Sequence, residues 1–266
     1  MHRLALAAAL LLAAPATAQD LQRGLDAYRA GNHAAALADL QPLADAGSSA
    51  AQFYLAVMHE HGLGVPQDLA RARALFRRAA DQGNIDATNN LAAMILRGQG
   101  GAADPAEALS WFFRAAERGS PVAQFNVGLL HSGGIGTDED QAIAAHWYRR
   151  AADNGLAVAH AYLAQLYKLG LGVEQDHAEA LRRYRIAAGA GVPMAHHALV
   201  VMHAEGLGTE PDPVTALKWA AVAFHNGIAE AHAAGDALAA RLSAEQVTEA
   251  RSRAQRCIAS AYHACH

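Results

Sequence analysis

The sequence predicts an all-α, right-handed superhelical solenoid of antiparallel helix pairs, and three observations predict it. A glycine recurs with a 36-residue period at Gly47, Gly83, Gly119, Gly155, Gly191 and Gly227. A glycine pair keeps the same phase in five successive copies: Gly62/Gly64, Gly98/Gly100, Gly134/Gly136, Gly170/Gly172 and Gly206/Gly208. Between these marks the apolar residues follow a helical rhythm, as at Ala51, Leu55, Met58 and His59. Repetition at this length marks a solenoid, in which each unit buries its apolar face only against its neighbours.

Residues 1–18 read as a secretory signal. His2 and Arg3 precede an apolar run from Leu4 to Ala14, and Ala16-Thr17-Ala18 offers a small-residue cleavage site. The run is too short to span a bilayer, and no later stretch approaches the roughly 20 apolar residues that a membrane helix needs. The expected product of cleavage near Ala18 is a periplasmic or secreted chain that is not inserted in a membrane. Its 20 basic residues face 25 acidic ones, a net charge of −5 that argues against nucleic acid as partner.

Residues 19–47 show Leu25, Tyr28, Gly31, Ala36 and Leu40, the pattern of a helix pair with a shorter connection, similar to a tetratricopeptide unit. Five 36-residue units then fill 48–227. In the first, a helix stops at Gly62 and Asp68 caps a second helix that buries Ala72, Leu75, Phe76, Ala79 and Ala80. Asp104, Asp140, Asp176 and Asp212 repeat the cap, and Pro105 and Pro213 suit the first helical position because its N–H would be unpaired anyway. Gly83 and its equivalents end each unit as left-handed residues. Residues 228–266 form the cap: a helix near 229–240, then Ser243 to Gln246 as a capping box opening a polar last helix.

Both cysteines, Cys257 and Cys265, fall in that cap. An exported chain with an even count favours a disulfide between them. In one continuous helix their Cα atoms would be about 12 Å apart, whereas a bridge needs less than about 7 Å. Two arrangements stay open. Either the helix ends soon after Cys257 and residues 260–263 turn the chain back, or it runs on to His263 with two free thiols.

Leu55-x-x-x-His59-x-x-Gly62-x-Gly64-Val65-x-x-Asp68, followed by Ala72, Phe76, Ala79-Ala80 and Gly83, resembles the Sel-one-like repeat, a branch of the tetratricopeptide superfamily. The match recurs five times over residues 48–227. It departs from the family where an aromatic is usual: Tyr167 keeps it, while His59, Ile95, His131 and His203 replace it. The resemblance implies a protein-binding adaptor, and similar exported proteins restrain membrane sensor kinases or serve in envelope assembly. Related exported proteins with a cysteine pair in every repeat are linked to penicillin binding and hydrolysis. No repeat here carries one.

Fifteen histidines invite a metal hypothesis. His59, His131 and His203 share one phase, and His160, His196 and His232 another. Stacked repeats lie about 8 to 10 Å apart, whereas zinc ligands converge to near 2 Å of one ion, so no metal site is assigned. The glycine pairs lack the lysine and preceding strand of a phosphate loop, and no nucleophile and base stand at motif spacing. No catalytic residue and no cofactor are assigned. The remaining candidate is a peptide-binding groove lined by the first helices: Phe53, Tyr54, Asn89, Asn90, Phe125, Asn126 and Tyr162. Asn amides clamp extended backbone through paired donor and acceptor, and rings supply contact area. The expectation is a scaffold or regulator that binds a protein or peptide; the alternatives are a cell-wall or β-lactam hydrolase and a His-lined metal binder.

Overall fold

The computed structural model describes residues 18–265, so the signal segment lies outside the described residues apart from Ala18. Among them are fourteen α-helices and no strand. They are α1 (Ala18–Arg29), α2 (His33–Asp45), α3 (Ser49–His61), α4 (Leu69–Asp81), α5 (Ile85–Arg97), α6 (Pro105–Glu117), α7 (Pro121–Ser132) and α8 (Gln141–Asp153). There follow α9 (Ala157–Leu169), α10 (His177–Gly189), α11 (Pro193–Glu205), α12 (Pro213–His225), α13 (Glu230–Ala239) and α14 (Ala244–Ala259). The chain divides into two compact units, one ending at Ala103 and the other beginning at Asp104. Consecutive helices pack on one another from α1 to α5 in the first unit and from α6 to α13 in the second, where α14 packs on α12.

The aspartates start the second helices as the sequence requires. Asp68, Asp104, Asp140, Asp176 and Asp212 accept hydrogen bonds from Arg71, Glu107, Ile143, Glu179 and Thr215 amides at 2.8 to 2.9 Å. Four of these aspartates also bind the connection to the preceding helix. The amides of Asp68, Asp140, Asp176 and Asp212 donate to the carbonyls of His59, His131, Tyr167 and His203. The position where the family places an aromatic therefore serves through its backbone whatever its side chain. Ser48, Asn84 and Ser120 cap first helices in the same manner, whereas Leu156 and Val192 supply no side-chain cap.

The two glycine sets answer to different constraints. Gly155 adopts φ +87° just past α8, and a Cβ there would meet nothing within 4 Å. Its role is conformational. Gly172 adopts φ +67° as well, but a Cβ there would overlap the backbone at Gln141, the first residue of the preceding second helix. Gly100, Gly136 and Gly208 meet the backbone of Leu69, Pro105 and His177 in the same way. The second glycine of each pair is thus both a turn and the contact that seats one repeat on the one before.

A polar clamp repeats with the same period inside this apolar stack. Gln52 is buried and donates from Nε2 to the carbonyl of Ala44 at 3.1 Å, while its oxygen accepts from Gln82 at 2.8 Å. Gln124, two repeats on, donates to Ala116 at 3.1 Å and accepts from Asn154 at 2.9 Å. His196 takes the place two repeats later. Its Nε2 lies 3.0 Å from the Ala188 carbonyl and its Nδ1 2.9 Å from the Asn226 amide. A carbonyl only accepts, so the neutral ring carries its proton on Nε2. Each clamp adds a side-chain donor to a carbonyl in the last turn of a second helix, which otherwise accepts from the amide of Gly47, Gly119 or Gly191.

The C-terminal tail completes the final clamp. After α14 ends at Ala259, Ala261 (φ 49°) and Tyr262 (φ 73°) reverse the chain, and Cys265 returns to Cys257 with Cα atoms 4.5 Å apart in a disulfide. This is the bent-tail arrangement, not the continuous helix. The Tyr262 hydroxyl donates to Asn226 Oδ1 at 2.5 Å, and its ring centre lies 5.1 Å from that of His196. The Ser243 capping box opens α14 with both reciprocal hydrogen bonds formed.

Three measurements check this account. Gly155→Ala should cost about 1 kcal/mol, from the left-handed backbone alone. Gly172→Ala should cost about 3 kcal/mol or more, because a backbone clash is added; equal losses in denaturant unfolding would remove the seating contact. His196→Ala should lose about 1–3 kcal/mol, because the Asn226 amide nitrogen loses its acceptor and the Ala188 carbonyl one of its donors. His196→Gln should retain most of the stability, since glutamine performs the same task at Gln52 and Gln124.

Burial pushes His59, His160, His196 and His203 below the ordinary value of 6.5. The unfolded chain then binds protons that the folded one refuses, so stability is full above pH 6.5 and falls as pH drops through it. Each histidine contributes at most about 1.4 kcal/mol per pH unit, until its folded value is reached. Urea midpoints measured from pH 8 to pH 5 should decline only in the acidic half; a flat profile contradicts the buried neutral rings.

Candidate functional site

The first helices end up with most of one face occupied by their neighbours, and the groove residues lie at the edge of that contact. All seven are half-buried. In the first unit, Phe53 packs inward on Phe76, with ring centres 5.8 Å apart, and meets Tyr54 edge-on at 5.2 Å. Tyr54 also meets Tyr28 of α1 at 5.2 Å. On α5 the two asparagines diverge. The amide oxygen of Asn89 is buried, while Asn90 donates from Nδ2 to the Asp86 carbonyl one turn back at 3.1 Å.

In the second unit, Phe125 of α7 lies 5.0 Å from Tyr162 of α9 and 5.5 Å from the buried Tyr148 of α8. Phe53 and Phe125 are therefore anchors between helices more than open contact surface. Asn126 follows Phe125, and its side chain makes no hydrogen bond among the described residues. Asn126 and Tyr162 occupy the same phase in successive repeats, as do Tyr54 and Asn90 in the first unit. In the second unit that phase holds an unbonded side-chain amide and a half-buried ring, whereas Asn90 in the first is engaged by the Asp86 carbonyl.

The histidines are distributed as the period dictates. His59 and His203 are buried, His131 is half-buried, and the Nδ1 atoms of all three lack hydrogen-bond partners among the described residues. His160, His196 and His232 pass from half-buried to buried to exposed. Among the described residues, no group of three or more His, Cys, Asp or Glu is placed to hold a metal ion, and no helix is long and apolar enough to cross a membrane.

Two surface features of the second unit escaped the sequence reading. One is an apolar hollow of about 680 Å³ on the second helices, where Phe113 of α6 and Ile143 of α8 are 47% and 39% exposed beside Trp147. The other is a cavity of about 620 Å³ between α10, α12, α14 and the tail, lined by Arg185, Lys218, Arg253 and Arg256. The signal for the second was present: Lys218 interrupts the apolar run from Val214 to Phe224. What joined it to the arginines was the tail reversal, which no local pattern encodes.

Comparison with known proteins agrees with this architecture. The Sel1 repeat profile matches residues 49–84, 85–120, 121–156, 157–192 and 193–227. Among solved structures, a Sel1 repeat protein from Oxalobacter formigenes is 31% identical with a TM-score of 0.75, over 81% of this chain and 86% of that one. The protein c5321, a protective antigen present in uropathogenic Escherichia coli strains and displaying an SLR fold, is 26% identical with a TM-score of 0.58, over 91% of this chain and 62% of its own length. No curated protein matches the chain. Five consecutive profile matches, a shared helix-pair architecture and close identity to a solved member place the chain in the Sel1 repeat family.

Proposed function

We propose that this chain is an exported, non-catalytic scaffold that binds a protein or peptide along its first helices. Sel1 repeats commonly serve as protein–protein interaction scaffolds. The observation that carries the reading is the phase occupied by Asn126 and Tyr162, and by Tyr54 and Asn90. Repeat stacking fills the neighbouring positions with small or aliphatic groups, as at Ala56, Ala92, Val127 and Leu163. The side-chain amide of Asn126 has no partner among the described residues. An extended segment laid beside it would gain a donor and an acceptor there, and the Tyr162 ring would cover part of it. The signal-like residues 1–18 support export, and the partner of an exported chain would be a membrane sensor or an envelope assembly component.

Affinity capture from periplasmic and solubilised membrane fractions tests the reading. The captured chain should begin after residue 18. With the partner in hand, Asn126→Ala combined with Tyr162→Ala should weaken binding by roughly 1–3 kcal/mol. Phe113→Ser with Ile143→Ser, on the second helices, should not. The opposite pattern would move the docking surface to the apolar hollow, and turnover of a chromogenic β-lactam or a peptidoglycan fragment would displace the scaffold reading altogether.

A further inference from the structure

We propose that the cavity between α10, α12, α14 and the C-terminal tail is a binding site for a small multivalent oxyanion, a phosphorylated or polycarboxylated metabolite. In a chain whose net charge is −4, this cavity collects four side chains of the opposite sign. Arg185 comes from α10, Lys218 from α12, and Arg253 and Arg256 from α14. Asp212 is the sole carboxylate among the described lining residues, and it is engaged in capping α12 through the Thr215 amide at 2.9 Å. Its volume of about 620 Å³ falls within the usual range of small-ligand sites, roughly 300–1,000 Å³.

Three of the four cations have no carboxylate pair among the described residues. Lys218 is only 7% exposed, yet no carboxylate pairs with it among the described residues. Its Nζ donates to the Cys265 carbonyl at 2.6 Å and lies 3.9 Å from the centre of the Trp219 ring. An ammonium carries three donors, so two remain. Arg185 has no hydrogen-bond or ion-pair partner among the described residues. Arg256 meets only the neutral hydroxyl of Ser252, at 2.8 Å. Arg253 pairs with Glu249, which does not line the cavity.

Burial, followed by the charges of Arg253 and Arg185, holds Lys218 down to about 8. Burial also keeps His203 below its ordinary range. Like charges gathered in a partly enclosed space raise the energy of the empty site. An oxyanion reverses that cost, and guanidinium forks suit it because they donate two parallel hydrogen bonds at once. The Cys257–Cys265 disulfide holds one wall in place by fixing the tail whose carbonyl receives Lys218.

Calorimetric titration of the purified, oxidised protein with inorganic pyrophosphate, and separately with citrate, tests the site. The expected result is saturable one-to-one binding, with the tighter of the two anions identifying phosphoryl or carboxylate as the natural group. Arg185→Gln and Arg256→Gln should each weaken it about tenfold, and Arg97→Gln on α5 should leave it unchanged. Arg185 is exposed, so its replacement keeps the test readable even where Lys218→Met loosens the tail. Absence of saturable heat with both anions up to about 10 mM, a range that covers even very weak sites, overturns the proposal. So does an affinity that Arg185→Gln and Arg256→Gln leave unaltered.

Discussion

The close seating of one repeat on the backbone of the previous one is the contact on which the rest of each unit depends. Gly100, Gly136, Gly172 and Gly208 bring a turn against the first residue of a preceding second helix, where no side chain has room. A solenoid has no long-range contacts to correct its register, because each repeat touches only its neighbours. The register must therefore be set locally, at every step. Glycine does this twice over, by accepting the left-handed backbone and by leaving space for the adjoining chain. The alanine pairs on the second helices, such as Ala151 and Ala152, then pack at that spacing with almost no surface exposed.

Close stacking creates a problem that the polar clamps solve. At the ends of second helices the Ala44, Ala116 and Ala188 carbonyls accept from the amides of Gly47, Gly119 and Gly191, and stacking withdraws their remaining acceptor capacity from water. Gln52 and Gln124 each reach back to such a carbonyl and are themselves held by an amide from the following unit. His196 performs the same task with an imidazole, which fixes its tautomer and its neutral state. A histidine column that looks like a metal motif in the sequence is, at this position, a backbone clamp. Where the repeats end, Tyr262 of the reversed tail holds the last clamp through Asn226.

Function is distributed along the molecule in a way that follows from the same division of labour. Positions that face neighbouring helices must be small or apolar, so chemistry is confined to edges and ends. The edge of the first helices carries Asn126 and Tyr162, the residues of the proposed docking edge. After the repeat that ends at 227, α14 and the disulfide-held tail pack near α12, and the arginines collect there. Charged side chains tolerate that location because Arg185 and Arg256 stay exposed there.

The sequence by itself determined the helix pairs, their period and most of their boundaries. The reason is that caps, left-handed glycines and helical periodicity are local, short-range constraints repeated five times. It also determined that Cys257 and Cys265 could join only if the last helix stopped, because helix rise alone would hold them too far apart. Only the tertiary structure decided that the tail does turn, at Ala261 and Tyr262, since that choice depends on the seat offered by His196 and Asn226. It alone separated the buried amide oxygen of Asn89 from the outer Asn90 and turned Phe53 and Phe125 inward, because neighbours in sequence share a helix but not a direction. It alone brought Lys218 beside Arg185, Arg253 and Arg256: these residues lie on three helices, and no periodic pattern relates a repeat to the cap that closes it.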